Sequence, residues 1–229
     1  MRESMYALQA SLDVLYEDDV LLAVNKPAGV VVHPTYKNAT DTLLDTLRDR
    51  SPNSQYFLVG RLDRQTSGVV IAARTHGAYV TLQRGWPDVE KDYLAVVRGF
   101  VDARGEIDLP LGTDPADRRR RVVRPDGAPS VTRFERLAYS TANGGMSLLR
   151  CRLVTGRRHQ IRVHLLARGW PIVGDPVYGE PEPGLPRQAL HSWRTVMRHP
   201  VSGRPLELEA LVPIDLRDFL TAARLPFDA

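Results

Sequence analysis

The sequence predicts an α+β protein built on a mostly antiparallel sheet. Three observations lead there. Short apolar runs rich in β-branched residues are grouped along the chain, with few helical stretches between them. The 229 residues suffice to bury a sizeable core. At 43% hydrophobic and 25% charged, the composition is that of an ordinary globular protein.

Taken in order, residues 1–11 read as a loose leader and residues 12–229 as one domain. Val14 to Tyr16 and Leu21 to Val24 read as strands around the acidic turn Glu17-Asp18-Asp19. Pro27 and Gly29 punctuate a loop. Leu43, Leu44 and Leu47 fall on one face of a helix from Thr42 to Arg50, closed by Pro52. Tyr56 to Val59 and Val69 to Ala73 are strands, and His76 to Arg84 a helix ending near Gly85 and Pro87. Tyr93 to Val97 is a strand, with Tyr93, Ala95 and Val97 on one side. The segment Leu109 to Pro115 is rich in turn residues. Strands at Val131 to Leu137 and Ser147 to Val154 flank the turn Asn143-Gly144-Gly145. Arg157 to Arg168 reads as a helix stopped by Gly169 and Pro171, with Arg158 and Arg162 four apart. Strands at Ala189 to Val196 and Leu206 to Val212, then a helix from Asp215 to Ala223, close the chain.

Charge narrows the partners. With 31 Lys+Arg against 27 Asp+Glu the net charge is +4, and the pI near 9.4 suits an anionic partner such as nucleic acid. Cys151 is the only cysteine, so no intrachain disulfide forms, and it reads as a small core residue. No run approaches eighteen apolar residues and no secretory signal opens the chain, so a cytoplasmic protein without a membrane segment is expected. His159 and His164 are five apart, poor spacing for two ligands on one helical face. With no His-Glu-x-x-His and no cysteine pair, no metal site is expected.

Two stretches carry chemistry. In Gly60-Arg61-Leu62-Asp63-Arg64-Gln65-Thr66-Ser67-Gly68 a carboxylate sits between two arginines, in a turn between two strands. Arginines that close favour the ionised carboxylate, which can act as nucleophile or base. The alternative is a structural aspartate bridging two arginines. Further on, Arg118, Arg119, Arg120 and Arg121 are adjacent, with Arg124 close behind. They form either a solvated charged loop or a set of phosphate contacts.

The block Arg61-Leu62-Asp63-x-x-Thr66-Ser67-Gly68 resembles the catalytic motif of RluA-type RNA pseudouridine synthases. Three further stretches resemble that family in the same order: Asn25-Lys26-Pro27-Ala28-Gly29, Lys91-Asp92-Tyr93, and Thr155 to His164 followed by Gly174-Asp175-Pro176-x-Tyr178-Gly179. Together they span roughly residues 12 to 213. The resemblance implies a bent sheet in two halves around a central cleft. It implies isomerisation of uridine to pseudouridine in ribosomal or transfer RNA, with base flipping and no cofactor. It makes Asp63 the nucleophile, Arg162 its partner, and Tyr93 the residue that stacks on the base and assists deprotonation. Arg61 would fill the vacancy left by the flipped uridine. Arg64, Arg158, His159 and the Arg118 to Arg121 run would contact RNA. A monomer with no obligatory protein partner is expected.

Two departures from the family pattern stand out. Gly60 occupies a position where the family commonly has His; Gly-Arg-Leu-Asp is more usual in the sister RsuA-type enzymes. The sequence also begins close to the catalytic region, so no S4-like domain is expected. RNA choice would then rest on the catalytic domain or a partner. Two other functions compete: an RNA-binding module without catalysis, which should lack Asp63, Tyr93 or Arg162, and a glycosidase. The latter needs a second carboxylate, for which Asp175 or Asp41 could be named.

Overall fold

The computed structural model describes residues 12–34 and 40–227, so the expected leader lies outside the described residues. The chain divides into two compact units: Met1–Val89 with Ser192–Leu211, and Glu90–His191 with Val212–Ala229. The expected α+β architecture with a mostly antiparallel sheet is what the structure has.

In the first unit, β1 (Asp13–Glu17) and β2 (Leu21–Lys26) form a hairpin closed by Asp18. One Asp18 oxygen accepts the amides of Val20 and Leu21; the other accepts the Tyr16 hydroxyl and faces His199 Nε2 at 2.8 Å. Burial opposes ionisation of this carboxyl, but the hydrogen bonds win and hold it at about 2. Helix α1 (Leu43–Arg50) starts at a capping box, with Thr42 and Asp45 bonding each other's backbone N–H. Strands β3 (Phe57–Val59) and β4 (Ser67–Ala73) follow, then α2 (His76–Gly85) and a 3-10 turn at Trp86–Asp88.

Strand β4 is the axis of this unit. It pairs antiparallel with β2 and β3, and every residue in it is buried. Its alternation divides the core in two. Val69, Ile71 and Ala73 pack with Leu21, Ala23, Ala78 and Leu82. Val70 and Ala72 pack with Leu22, Val24, Leu43 and Leu47. A strand covered on both faces reads as a continuous apolar run, as Val69 to Ala73 does.

The second unit begins with β5 (Glu90–Arg98) and β6 (Arg104–Asp108), then a ribbon of β7 (Leu111–Thr113) and β8 (Arg121–Val123). Strands β9 (Val131–Ser140) and β10 (Met146–Leu153) complete an antiparallel sheet in the order β5-β10-β9-β6. Cys151 lies fully buried in β10, where desolvation pushes its thiol up to about 12. After α3 (Gln160–Ala167), the chain runs through β11 (Leu190–Arg198), β12 (Pro205–Glu209) and α4 (Ile214–Ala222). Among the described residues no helix is long and apolar enough to cross a membrane.

Two expectations need correction. The turn-rich segment Leu109 to Pro115 holds a strand, β7, and it is flanked by β6 and β8; β7 and β8 are three residues each. And α3 starts at Gln160, three residues later than its apolar spacing suggests. The Gln160 side chain is the reason. Its oxygen accepts the Arg157 amide at 2.9 Å and the Thr155 hydroxyl at 2.8 Å, while its nitrogen donates to Val131 O and Thr132 Oγ1. The Thr155 to Arg157 segment is thereby bound to β9 instead of winding into the helix. Arg158 is outside α3, so it does not share a helical face with Arg162.

Candidate active site

The Asp63 turn joins β3 to β4 in the first unit. Leu62 packs against the core beside α1, and the Thr66 amide donates to Asp63 O at 3.1 Å. The next residue is bound to the Lys-Pro segment twice over. Arg64 O accepts the Gly29 amide, and Arg64 Nε donates to Gly29 O, both at 2.8 Å.

Lys26 completes the brace. It is 0% exposed, and its ammonium donates to Pro27 O at 2.8 Å, Val30 O at 2.9 Å and Arg64 O at 3.2 Å. An ammonium has three donors, and carbonyls from both segments take them here. The backbone on either side of Asp63 is thus fixed, while Asp63 is half-buried and Arg61 and Arg64 are exposed.

Gly60 has a structural reason. Its φ is 74°, and a Cβ there would come within 2.7 Å of Trp86 Cζ2. A side chain at this position would need both a left-handed backbone and a displaced indole. Gly68, where β4 leaves the turn, is tighter: a Cβ would lie 2.1 Å from Ser192 O.

The other site residues belong to the second unit. Tyr93 is on β5 opposite Cys151 of β10, and is 8% exposed. Beside it, buried Asp92 is held by Arg152 Nε and Nη2, both at 2.7 Å.

Arg162 is 4% exposed on α3 and binds Asp175 through Nε and Nη2, both at 2.7 Å. Asp175 is 0% exposed and also accepts the amides of Val177 and Tyr178. A buried carboxylate whose oxygens are engaged by a guanidinium and two amides is an anchor, which counts against Asp175 as the second carboxylate of the glycosidase alternative.

Around this pair lie His159, Tyr178 and the arginine run. His159 precedes α3 with φ of 59°, a conformation that costs a non-glycine residue about 1–2 kcal/mol. Its Nδ1 lies 2.8 Å from the Tyr178 hydroxyl. His164, further along α3, is fully buried between Thr132 Oγ1 and Leu109 O, and burial lowers its pKa.

The run Arg118 to Arg121 leads into β8. Arg119 grips Asp117 with Nε and Nη2, and that bonding holds the Asp117 carboxyl at about 2. Arg120 Nε is 3.8 Å from Asp114. Arg121 Nη1 donates to Arg120 O at 3.1 Å, and Arg124 grips Asp126. Arg118 is exposed.

Of the residues singled out by sequence, Arg120, Arg121, His159 and Arg162 converge on Tyr178. Arg61, Asp63 and Arg64 share one turn of the first unit. Sequence reasoning misses three residues with clear structural roles: Lys26, Asp175 as the partner of Arg162, and Tyr178. The only signal for any of them is membership of the Lys-Pro and Gly-Asp-Pro-x-Tyr stretches.

Residues 20–167 match the family described as RNA pseudouridylate synthase. Ribosomal large subunit pseudouridine synthase D of Nitrosomonas europaea is 41% identical over 237 residues, covering 97% of this chain and 68% of that protein. Its counterpart in Xanthomonas campestris is 43% identical over 236 residues, covering 93% of this chain and 70% of that one. Among solved structures, human RNA pseudouridylate synthase domain containing 1 has a TM-score of 0.73 at 26% identity, covering 96% of this chain and 98% of that one. Human RNA pseudouridylate synthase domain containing 4 shares the fold, with a TM-score of 0.77 at 22% identity and full coverage of both chains.

Proposed function

This chain belongs to the RNA pseudouridylate synthase family, and from that premise we propose that it modifies ribosomal RNA with Asp63 as the nucleophile. It is an isomerase that converts uridine to pseudouridine in RNA. The observation that carries the reading of Asp63 is the brace on its turn. Lys26, Gly29 and Leu62 fix the backbone around one half-buried carboxylate.

Isomerisation breaks the bond from ribose C1′ to base N1 and makes one from C1′ to C5, with loss of the C5 proton to solvent and gain of one at N1. No electrons are gained overall and no group departs for good. The reaction needs something to hold one fragment while the other turns. A carboxylate suits this because it attacks and leaves at similar cost.

Arg162 is proposed as the arginine partner that orients Asp63 for the reaction. Tyr93 is proposed to stack on the target base and help remove the C5 proton, and Arg61 to occupy the gap in the RNA stack after flipping. Arg64, Arg158, His159 and the arginine run are proposed as contacts to RNA.

The names of the two bacterial relatives described above favour large-subunit ribosomal RNA over transfer RNA. Pseudouridine mapping of total RNA, with and without the gene, tests this. Loss of signal at a large-subunit ribosomal position is expected. Loss confined to transfer RNA would overturn the substrate assignment.

A further inference from the structure

Tyr178 is buried at the meeting point of groups to which the proposed function gives separate tasks. Two guanidiniums sit over its ring, Arg162 at 4.9 Å and Arg120 at 5.2 Å from the centroid. Its hydroxyl accepts the Arg121 amide at 2.7 Å and lies 2.8 Å from His159 Nδ1. Its own amide donates to Asp175, the carboxylate that holds Arg162. The ring also packs with Leu111 of β7 and Val163 of α3.

The β7-β8 ribbon is tied to the segment after it, where Leu111 and Ala128 exchange backbone hydrogen bonds of 3.0 and 2.9 Å, and Tyr178 adds a second attachment. Each strand is three residues long, and Leu111 is its one buried apolar residue. Two such strands are marginal without further packing. A hydroxyl that accepts a β8 amide and a ring that stacks under Arg120 join the ribbon to Tyr178, alongside the packing of Leu111 with Val163 of α3. The same ring lies under the guanidinium of Arg162.

We propose that Tyr178 is a positioning residue for both the arginine loop and Arg162, coupling the two through one side chain. This rests on the reading of Arg162 and the loop given above. The two halves of the side chain have separable tasks. The hydroxyl fixes the start of β8 and with it the RNA contacts; the ring supports Arg162.

Steady-state kinetics of the full chain separates them, using release of the C5 hydrogen from an unmodified, 5-tritiated large-subunit ribosomal RNA transcript. Tyr178→Phe keeps the ring and removes the hydroxyl. KM is expected to rise about three- to tenfold, the value of one or two hydrogen bonds, with kcat within about twofold of wild type. Tyr178→Leu removes the ring as well, and kcat is expected to fall about tenfold. Arg162→Ala is measured in parallel. If Arg162→Ala is inactive while both Tyr178 variants match wild type, the coupling does not exist. If both variants lose kcat and KM in the same proportion along with thermal stability, Tyr178 is only a core residue. An Arg162→Ala enzyme with wild-type kcat would remove Arg162 from the reaction, and the proposal with it.

Discussion

Two arginine-bearing loops of this chain are fixed by different means. In the Asp63 turn the backbone is the fixed part. Lys26, Gly29 and Leu62 hold it, and Arg61 and Arg64 are exposed. In the Arg118 to Arg121 loop and just after it side chains are tied down as well as backbone: Arg119 and Arg124 grip Asp117 and Asp126, and Arg121 caps a carbonyl of its own loop. The first arrangement presents one carboxylate at a set position. The second tempers a dense positive charge with carboxylates two residues away. A count of arginines overstates the second loop as an RNA contact and says nothing about the rigidity of the first.

The largest effect expected lies in the buried Arg162–Asp175 pair, which shares Tyr178 with the arginine loop. Arg162→Ala leaves the 0%-exposed Asp175 without its guanidinium. Removing one partner of a buried pair costs about 3–5 kcal/mol. Denaturant unfolding should show a loss of that size, and an unchanged midpoint would mean that the buried pair does not stabilise the unit.

Next is the brace itself. Lys26→Met removes the shared donor from Pro27, Val30 and Arg64 carbonyls. Stability should fall by about 2 kcal/mol or more, since buried acceptors are left without a partner. Activity should fall further than that loss of folded protein explains. Equal losses of both would make Lys26 a core residue with no bearing on the Asp63 turn.

Gly60→Ala probes the same turn from the other side. The left-handed backbone and the approach to Trp86 predict a loss of about 1–2 kcal/mol, seen as a lower thermal midpoint. A variant as stable as wild type would contradict both the backbone strain and the crowding by Trp86.

How much of this is legible in the sequence differs between the loops for a physical reason. The strands around Asp63 are read easily, because β4 is covered on both faces and so is apolar throughout. Helix α1 is announced by Thr42 and by leucines on one face. The brace is not legible, because carbonyls belong to every residue and no sequence pattern shows which of them an ammonium reaches. Arg162 and Asp175 are thirteen residues apart, across a helix and a turn, so no periodicity links them. Ribbon strands of three residues are shorter than any alternation that could reveal them. The true start of α3 is hidden because Gln160 binds the preceding segment through its side chain, which apolar spacing does not register.

The arginine loop gives the smallest effect. Replacing Arg118 to Arg121 by Gln should weaken binding of cognate and unrelated RNA alike, without changing which uridine is modified. The slope of log K against log salt should become shallower by roughly 0.7 for each single-strand phosphate that the loop no longer neutralises, with about two such phosphates expected. Asp117→Asn, which frees Arg119, should steepen that slope. An unchanged slope in both variants would make the loop a solvated surface.

The central claim is that the one carboxylate presented by the braced turn performs the chemistry. Asp63→Ala tests it most directly, because the turn is held by groups other than that side chain. Pseudouridine formation is measured under single-turnover conditions, together with the unfolding midpoint and RNA affinity. The account predicts no detectable product, with folding and binding close to wild type. Product formed at a rate close to wild type would contradict it.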